Sequence, residues 1–298
     1  MPTRTSMSRL RFATVLVAAL TAAAAATADA KEPGKPPRQM LGAIFGPICR
    51  DLGALNTQKA TLLSGPTAVK MHRGRQPGKQ WRIGLGRSKF KITIRDTAPK
   101  DWTVQKAMKT TEELPVPYRR CLEIISEGDK DGLAYYPGLG GAHGGQNYIN
   151  VEPGARSRCL VHEAGHCFDQ RARDTEPDLM KRWAAAVKAD DIGVSGYGDS
   201  VVHEDMAEFA RVYAYCIDYA AGRGMKDELR KLSPERFKLW ERILHLSKAL
   251  PAPQSDVEFG RSDAAARKKQ AEVRAKMKPR IARVRENIKA VLDRRKKK

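Results

Sequence analysis

The sequence contains few cysteines, and no two of them form a Cys-x-x-Cys pair. Its 298 residues include five cysteines, which are Cys49, Cys121, Cys159, Cys167 and Cys216. The missing pairs argue against a thiolate zinc finger and against a thioredoxin-type redox site. Because the number is odd, at least one cysteine is unpaired unless it bridges two chains, and the spacing does not determine the pairing. We predict no catalytic role for the cysteines.

Long apolar runs are also scarce, and the one strong run lies near the N-terminus. Three arginines precede the apolar stretch 12–20, and small residues follow it as far as Ala30. This pattern is typical of a secretory signal peptide, and the stretch is shorter than the roughly 20 residues that cross a bilayer. We therefore predict that residues 1–30 are removed and that the mature chain begins at Lys31 without a transmembrane segment. The protein is then exported to a secreted, periplasmic or cell-surface location.

Acidic residues are few relative to basic ones. The chain has 34 Asp and Glu against 55 Lys and Arg, a formal net charge of +21. This excess favours an acidic partner, such as a phosphate polymer, an anionic cell surface or an acidic protein, but charge reports neither fold nor chemistry. The segment 261–298 contributes 16 basic and 4 acidic residues and has no aromatic residue. Without aromatic side chains for base stacking, we predict no specific nucleic-acid binding.

The same segment carries an apolar stripe at helical spacing. Met277, Ile281, Val284, Ile288 and Val291 recur at intervals of four, three, four and three residues, with basic residues between them. The pattern predicts a basic amphipathic helix, which we expect to begin near Pro279 because proline is tolerated in a first turn. Two interpretations remain open. The stripe docks on the protein or on a second copy, or the helix attaches to an anionic surface or polymer.

The remaining sequence divides into a strand-rich half and a helix-rich half. Alternating or extended segments occur at 90–94, 133–136 and 146–151, with a short helix at 121–125. Glycine, proline and basic residues predict loops at 64–80 and 137–145. Further helices are predicted at 157–172, 177–189, 202–221 and 234–249. Strands followed by helices predict an α+β fold, with a small mixed sheet in the N-terminal half and a helical C-terminal half.

This organisation implies four segments. They are a signal peptide at 1–30, a leader and N-terminal segment at 31–89, a catalytic domain at 90–255 and the basic helix at 261–298. The leader begins with the Pro-rich basic stretch 31–38, which is typical of a disordered segment.

The chemistry concentrates in the segment VHEAGHCFD, which contains His162, Glu163 and His166. Histidines four residues apart lie on one face of a helix and can offer two imidazole nitrogens to one zinc ion. Zinc lowers the pKa of a bound water and polarises a carbonyl, and a glutamate beside the first histidine can take the proton. We expect Gly165 to keep the space beside the metal open.

A catalytic zinc needs a third protein ligand and an open fourth position. Glu204 and Glu208 lie four residues apart on the next strongly helical segment. One of them can bind zinc while the other orients a ligand histidine. His203 is the rival third ligand because imidazole also suits zinc.

These residues resemble the catalytic domain of anthrax lethal factor and its relatives, a gluzincin-type family of zincin peptidases. In that family, the motif HExGHxxD is followed by Tyr-Gly and by a glutamate seven residues after the tyrosine, within an E-x-x-A-E run. Here, the first motif is His162–Asp169, Tyr197 precedes Gly198, and Glu204 lies seven residues after Tyr197. The segment SPERFKLWERI (233–243) resembles the closing helix of that domain. The resemblance covers roughly 90–250 and implies a zincin-like fold.

The resemblance also implies roles for individual residues. His162, His166 and Glu204 bind one Zn²⁺ ion, Glu163 is the general base, and Tyr197 hydrogen-bonds the oxyanion of the tetrahedral intermediate. Asp169 and Glu208 lie behind the ligands and orient them.

Related zinc peptidases carry an edge strand that pairs with extended substrate where this chain has 146–151. This position makes Asn147, Tyr148 and Ile149 candidate substrate contacts. An ordinary sheet strand is the open alternative.

We therefore expect an exported zinc metalloendopeptidase that cleaves peptide or protein substrates with a water activated by zinc. The large receptor-binding and recognition regions of lethal factor are missing here, so neither a toxin role nor the same substrate is expected. The alternative is a binding protein on a zincin scaffold that attaches to an anionic surface through the basic helix. Glu163 argues against it, because a structural zinc site needs no general base and closes with four protein ligands.

Overall fold

One mixed β-sheet and the helices packed on it make up the described part of the chain. The computed structural model describes residues 39–49, 58–72, 75–128, 130–217, 224–248 and 264–297. The strands are β1 (Ala60–Lys70), β2 (Pro77–Leu85), β3 (Ser88–Arg95), β4 (Leu133–Tyr135), β5 (Ala142–Gly145) and β6 (Tyr148–Val151). The helices are α1 (Leu41–Phe45), α2 (Val104–Glu112), α3 (Val116–Gly128), α4 (Ser157–Arg173), α5 (Leu179–Asp190), α6 (Val202–Ile217), α7 (Gly224–Leu232), α8 (Pro234–Leu246) and α9 (Ala264–Lys296).

The predicted α+β organisation is confirmed. The six strands lie in the order β1-β2-β3-β4-β6-β5, and all of them precede α4 in the chain. The pairs β1–β2, β2–β3 and β5–β6 are antiparallel, whereas β3–β4 and β4–β6 are parallel. The parallel step from β3 to β4 requires a crossover, which α2 and α3 provide. The sheet is therefore mixed, and β1 and β5 form its two edges.

The predicted loop at 64–80 is wrong, because most of it belongs to β1 and β2. Nearly every residue of β1 is exposed, and register shifts interrupt its pairing between Leu62 and Ser64 and between Ser64 and Thr67. A bulged edge strand with solvent on both faces lacks the alternation that indicates a strand. The boundary predicted at residue 90 also lies inside β3, which pairs with β2.

Aromatic side chains fill the core between the C-terminal helices. Trp240 of α8 lies 6.3–6.5 Å, between ring centroids, from Phe168, Trp183, Phe209 and Tyr213. Trp183 and Trp240 are both fully buried. Burial of an aromatic ring contributes about 1.5–3 kcal/mol, so this cluster stabilises the packing of α4, α5, α6 and α8.

A buried ion-pair network fixes the start of α6. The Arg236 guanidinium of α8 lies 3.0 Å from Asp190 of α5 and 3.0 Å from Asp205 of α6. Asp205 also accepts a hydrogen bond of 2.8 Å from the Trp183 indole. Loss of one partner would leave an unpaired buried charge, which costs about 3–5 kcal/mol. The network therefore holds Asp205, and with it the neighbouring Glu204, in a fixed position.

The basic helix α9 begins at Ala264, about four helical turns earlier than predicted, and docks on the protein. Pro279 lies inside it, so the prediction of a start near Pro279 is wrong. An interior proline removes a backbone hydrogen bond, at a cost of about 3 kcal/mol. Met277 and Val284, on either side of the proline, are 1% and 0% exposed, and their burial offsets that cost. The stripe thus packs against the protein's own core, as the docking interpretation expects.

Polar contacts near the end of α9 fasten it further. Arg295 donates hydrogen bonds to the carbonyl oxygens of Asp190 and Leu232, and Asn287 donates one to the carbonyl of Ile44.

Among the described residues, no helix is both long and apolar enough to cross a membrane. The predicted signal peptide at 1–30 and the basic stretch at 31–38 lie outside the described residues.

Candidate metal centre

Two histidines of α4 and one glutamate of α6 converge. His162 and His166 lie one turn apart on α4, and Glu204 lies in the first turn of α6, which packs against α4. Glu204 Oε2 is 3.1 Å from His162 Nε2 and 3.4 Å from His166 Nε2. The three ligand atoms lie within 4.8 Å of one another. Zinc bonds of about 2.0–2.2 Å in a tetrahedron separate ligand atoms by about 3.3–3.5 Å, so the spacing fits one ion.

The Glu204 carboxylate fits a cation among these three atoms. Its Oε2 is buried and has no hydrogen-bond partner, although it faces two imidazole nitrogens. Burial raises the pKa of Glu204, but His162 and His166 outweigh burial and hold that pKa well below its usual range. The carboxylate is therefore ionised, and a buried ionised oxygen without a donor is suited to a metal ion.

Glu208 lies behind His162, as predicted. Its Oε1 is 2.9 Å from His162 Nδ1, and Arg211 donates a hydrogen bond to the same oxygen. Burial raises the pKa of Glu208, but His162 and Arg211 outweigh it and lower the pKa to about 2. When Nδ1 carries the proton and donates it to this carboxylate, Nε2 keeps a lone pair that faces Glu204. Glu208 therefore orients the first ligand histidine.

The two glutamates also change the proton affinity of His162. Burial lowers the pKa of His162, but the neighbouring carboxylates of Glu204 and Glu208 outweigh burial and raise the pKa to about 9. In the metal-free site, a proton therefore occupies His162 at neutral pH, and a metal ion has to displace it.

Glu163 is buried beside the ligands and packs against the edge of the sheet. It is 5% exposed, and burial raises its pKa, while His162 and His166 partly oppose that rise. A Cβ on Gly144 of β5 would lie 2.3 Å from the Glu163 carbonyl oxygen. Glycine is thus required for β5 to approach α4 this closely. The raised pKa brings Glu163 nearer to the range in which a carboxylate accepts a proton at neutral pH.

Tyr197 and His203 border the site from the segment that leads into α6. The Tyr197 ring is 59% exposed, and its centroid is 6.1 Å from that of His162. Burial and the nearby Glu204 raise the pKa of Tyr197 to about 12, so the phenol stays protonated. His203 Nε2 lies 3.3 Å from Glu204 Oε1. In the described part of the chain, the group of converging ligand atoms contains Glu204 and not His203.

Asp169 lies near the site but does not contact a ligand histidine through a hydrogen bond. It is 1% exposed, and its Oδ2 accepts a hydrogen bond of 3.0 Å from Arg173. Its Oδ1 is buried and has no hydrogen-bond partner. Burial raises the pKa of Asp169, with Arg173 opposing the rise. The predicted role in orienting a ligand falls to Glu208 in this structure.

Of the two interpretations of 146–151, the structure shows the ordinary sheet strand and not the edge strand, because β6 lies between β4 and β5. Ile149 is fully buried, and Asn147 accepts a hydrogen bond from Arg171. Tyr148 is 38% exposed and is the one of the three candidate substrate contacts that lines the cleft at the metal site. The edge is β5, which follows β4 through a glycine-rich turn and was predicted as part of a loop. Its sequence AHGG carries no strand signal.

The expectation that Gly165 keeps the space beside the metal open is wrong, because this glycine allows two helices to pack closely. A Cβ at this position would lie 2.9 Å from the Ala207 Cα and 2.9 Å from the Ala210 Cβ. The glycine lets α4 and α6 approach closely, and this approach brings Glu204 to the two histidines.

A cleft of about 900 Å³ opens over the site, with β5 along one side. Arg158 and Gln170 line it and were missed by the sequence interpretation. They lie four residues before His162 and four residues after His166, so the helical period that links the two histidines also predicts their face. All five cysteines are free thiols in the structure.

Comparison of the chain with protein-family models, with curated proteins and with solved structures gave no match in any of the three. The fold is an α+β domain with a six-stranded mixed sheet, and its cleft holds two histidines and one glutamate at metal-binding distances. These geometric features define the site.

Proposed function

We propose that the protein is an exported zinc-dependent metallopeptidase of the zincin type, similar to the catalytic domain of anthrax lethal factor, which hydrolyses peptide bonds. One observation supports the proposal most strongly. The buried Glu204 Oε2 has no hydrogen bond and faces His162 Nε2 and His166 Nε2 at the bottom of an open cleft. Three protein ligands and an open side are the arrangement of a catalytic zinc site, whereas structural sites close with four.

Each side chain around this group has a separate proposed role in hydrolysis. His162, His166 and Glu204 would hold a zinc ion, which would act as a Lewis acid toward the peptide carbonyl and would lower the pKa of a bound water. Glu163, with its pKa raised by burial, accepts the proton of the attacking water and passes it to the leaving amine. Tyr197 keeps its proton because its pKa is raised to about 12, so it can donate a hydrogen bond to the oxyanion.

The sheet edge supports a polypeptide substrate. An edge strand presents unpaired backbone groups, and an extended peptide can add to it as another strand. The edge strand β5 runs along the cleft, and Gly144 of β5 contacts Glu163. A peptide paired with β5 would therefore place its backbone next to the proposed base.

The proposal is tested by measuring bound zinc and cleavage of a peptide library for the mature chain, beside Glu163→Ala and Glu204→Ala. Glu163→Ala should keep zinc and lose cleavage, whereas Glu204→Ala should lose both. Glu127→Ala, which removes an exposed glutamate of α3, is the matched control and should keep both. Cleavage at the wild-type level in Glu163→Ala would contradict the mechanism.

A second candidate is attachment to an anionic surface or polymer through α9. The observation that favours it is the docked orientation of α9. The apolar stripe faces the core, and Lys276, Arg283 and Lys289 are among the basic residues that remain exposed. Salt-sensitive binding to vesicles of anionic lipid, lost when these three residues are replaced by glutamine, would support it. Equal binding to neutral and anionic vesicles would contradict it.

A further inference from the structure

A second cavity, of about 740 Å³, lies at the N-terminal end of α4 and is lined by basic side chains. Four basic residues of α2 and of the start of α4 contribute to its lining, namely Lys106, Lys109, Arg156 and Arg158. All four are exposed. Glu113 is the one carboxylate in the lining, and it already accepts a hydrogen bond from Ser157 Oγ. The cavity therefore has a clear excess of positive charge.

Most of this charge has no acidic partner in the described part of the chain. Lys106 pairs with Asp101 at 2.9 Å, but both side chains are largely exposed, so the pair is worth little. Lys109, Arg156 and Arg158 form no ion pair among the described residues. Exposed cations gathered around one concave surface produce a field that favours an anionic ligand.

The second cavity shares one lining residue with the metal cleft. Arg158 lines both of them, and it lies on the same face of α4 as His162, one turn earlier. At 1.5 Å per residue, the Cα of Arg158 is displaced about 6 Å along the helix axis from that of His162. A peptide that runs parallel to α4 would advance about 3.3 Å per residue and would therefore reach Arg158 about two residues from the metal. Arg156 precedes Arg158 and is the N-cap residue of α4.

The positive charge is confined to one end of the cleft. The two cations that line the metal cleft in the described residues are Arg158 and Arg211. Arg211 is already paired with Glu208, which leaves Arg158 as the cation available to a ligand. The other end is bordered by Gln170, whose Oε1 accepts a hydrogen bond from the backbone of Gln146. A bound peptide therefore meets a basic surface on only one side of the metal.

We infer that the second cavity binds acidic side chains of a polypeptide substrate, at positions two or more residues to one side of the scissile bond. The position relative to a scissile bond rests on the proposed function, whereas binding of an acidic peptide can be measured without turnover. A peptide is favoured over a free anion because Arg158 also lines the metal cleft, which is bordered by a sheet edge. Carboxylates at these positions would pair with Arg158 and then with the cations of the second cavity.

The test uses pairs of fluorescent peptides that differ only in acidic residues and their amides, so that Asp and Glu on one side are replaced by Asn and Gln. Affinities are measured by anisotropy for the zinc-loaded mature chain carrying Glu163→Gln, which prevents turnover. The test variant adds Lys106→Gln, Lys109→Gln and Arg156→Gln. The matched control adds Lys181→Gln and Lys188→Gln, which remove exposed charges of α5 away from both cavities.

We expect the acidic peptide to bind more tightly than its amide partner, and the test variant to lose about five- to thirtyfold of that affinity. The control should lose less than twofold. Equal affinity for both peptides, or an equal loss in the control, would overturn the inference. Tighter binding of inorganic phosphate or of an oligonucleotide than of the acidic peptide, through the same three residues, would also overturn it.

The same peptides separate this inference from the proposed function. With Glu163 intact, the amide peptide should be cleaved at similar rates by wild type and by the triple variant, and only the acidic peptide should lose kcat/KM in the variant. Failure of all cleavage with a preserved binding preference would reject the peptidase and keep the acidic-ligand site. Cleavage without any charge preference would reject the site and keep the peptidase.

Discussion

Replacement of Glu208 by glutamine should weaken zinc binding without removing a ligand. The Glu208 carboxylate contacts His162 Nδ1 at 2.9 Å and is almost completely buried. Glutamine keeps the shape of the side chain and one acceptor oxygen, but it removes the negative charge. His162 would then be held less firmly in the orientation that points Nε2 toward Glu204.

The structure sets the size of this effect. Glu204 and Glu208 together raise the pKa of His162 from 6.5 to about 9 against the opposing effect of burial. The negative charge of Glu208 favours positive charge at His162, whether a proton or a metal ion supplies it. Carboxylates that orient a metal-ligating histidine contribute about 10- to 100-fold in metal affinity. We therefore expect the zinc dissociation constant of Glu208→Gln to rise about 10- to 100-fold.

The measurement is a competition titration of zinc against a chelator of known affinity, at pH 7.5, with circular dichroism as a check on folding. Glu127→Gln of α3 is the matched control, because its side chain is exposed and distant in sequence from the site. A dissociation constant within twofold of wild type in a folded Glu208→Gln variant would refute the reasoning, since Glu208 would then have no part in positioning His162.

Three further predictions concern packing and protonation. Gly165→Ala should lower the free energy of unfolding by about 1–3 kcal/mol in urea titrations, because the added Cβ would lie 2.9 Å from the Ala207 Cα; an unchanged value would contradict the close packing. Ile288→Ala should cost about 2–5 kcal/mol because its side chain is 2% exposed, whereas Lys289→Ala, on the exposed side of α9, should cost less than about 0.5 kcal/mol. In the metal-free protein, the raised pKa of His162 contributes stability that is complete below pH 6.5 and is lost as pH rises through about 9. The melting temperature should fall over that interval in wild type and fall less in Glu208→Gln; parallel curves would refute this.

The sequence was sufficient to predict that His162 and His166 lie together because their geometry is local. His162 and His166 need only a helix to share a face, and the helical pattern of α4 is strong. Glu204 required a choice between neighbours, since His203 offers an equally suitable atom. The choice follows from contacts that are distant in sequence, namely the ion pair of Asp205 with Arg236 and the contact of Gly165 with α6.

The edges of the sheet could not be predicted for a physical reason. Both β1 and β5 are paired on one side only, and their side chains do not alternate between core and solvent. Hydrophobic periodicity arises from the burial of side chains, so strands that bury few side chains show no periodicity in the sequence. The order of β5 and β6 likewise depends on tertiary pairing, which is why the sequence left open whether 146–151 is an edge strand or an interior strand. Pro279 misled the prediction of α9 because local propensity was overridden by the burial of Met277.

The docking of α9 has a consequence for how the molecule is made. The hydrogen bond between Asn287 and Ile44 joins residues 243 positions apart, and Val284 and Ile288 belong to the same hydrophobic cluster as Val161 of α4. A growing polypeptide that has not yet reached α9 lacks part of that cluster and cannot bury it. Contacts of such long range also slow folding, since the entropy of closing the loop is lost before the contact forms. The packing of α9 against α1 and α7 therefore forms only after the ribosome has finished α9, so the core is completed by the last part of the described chain to be synthesised.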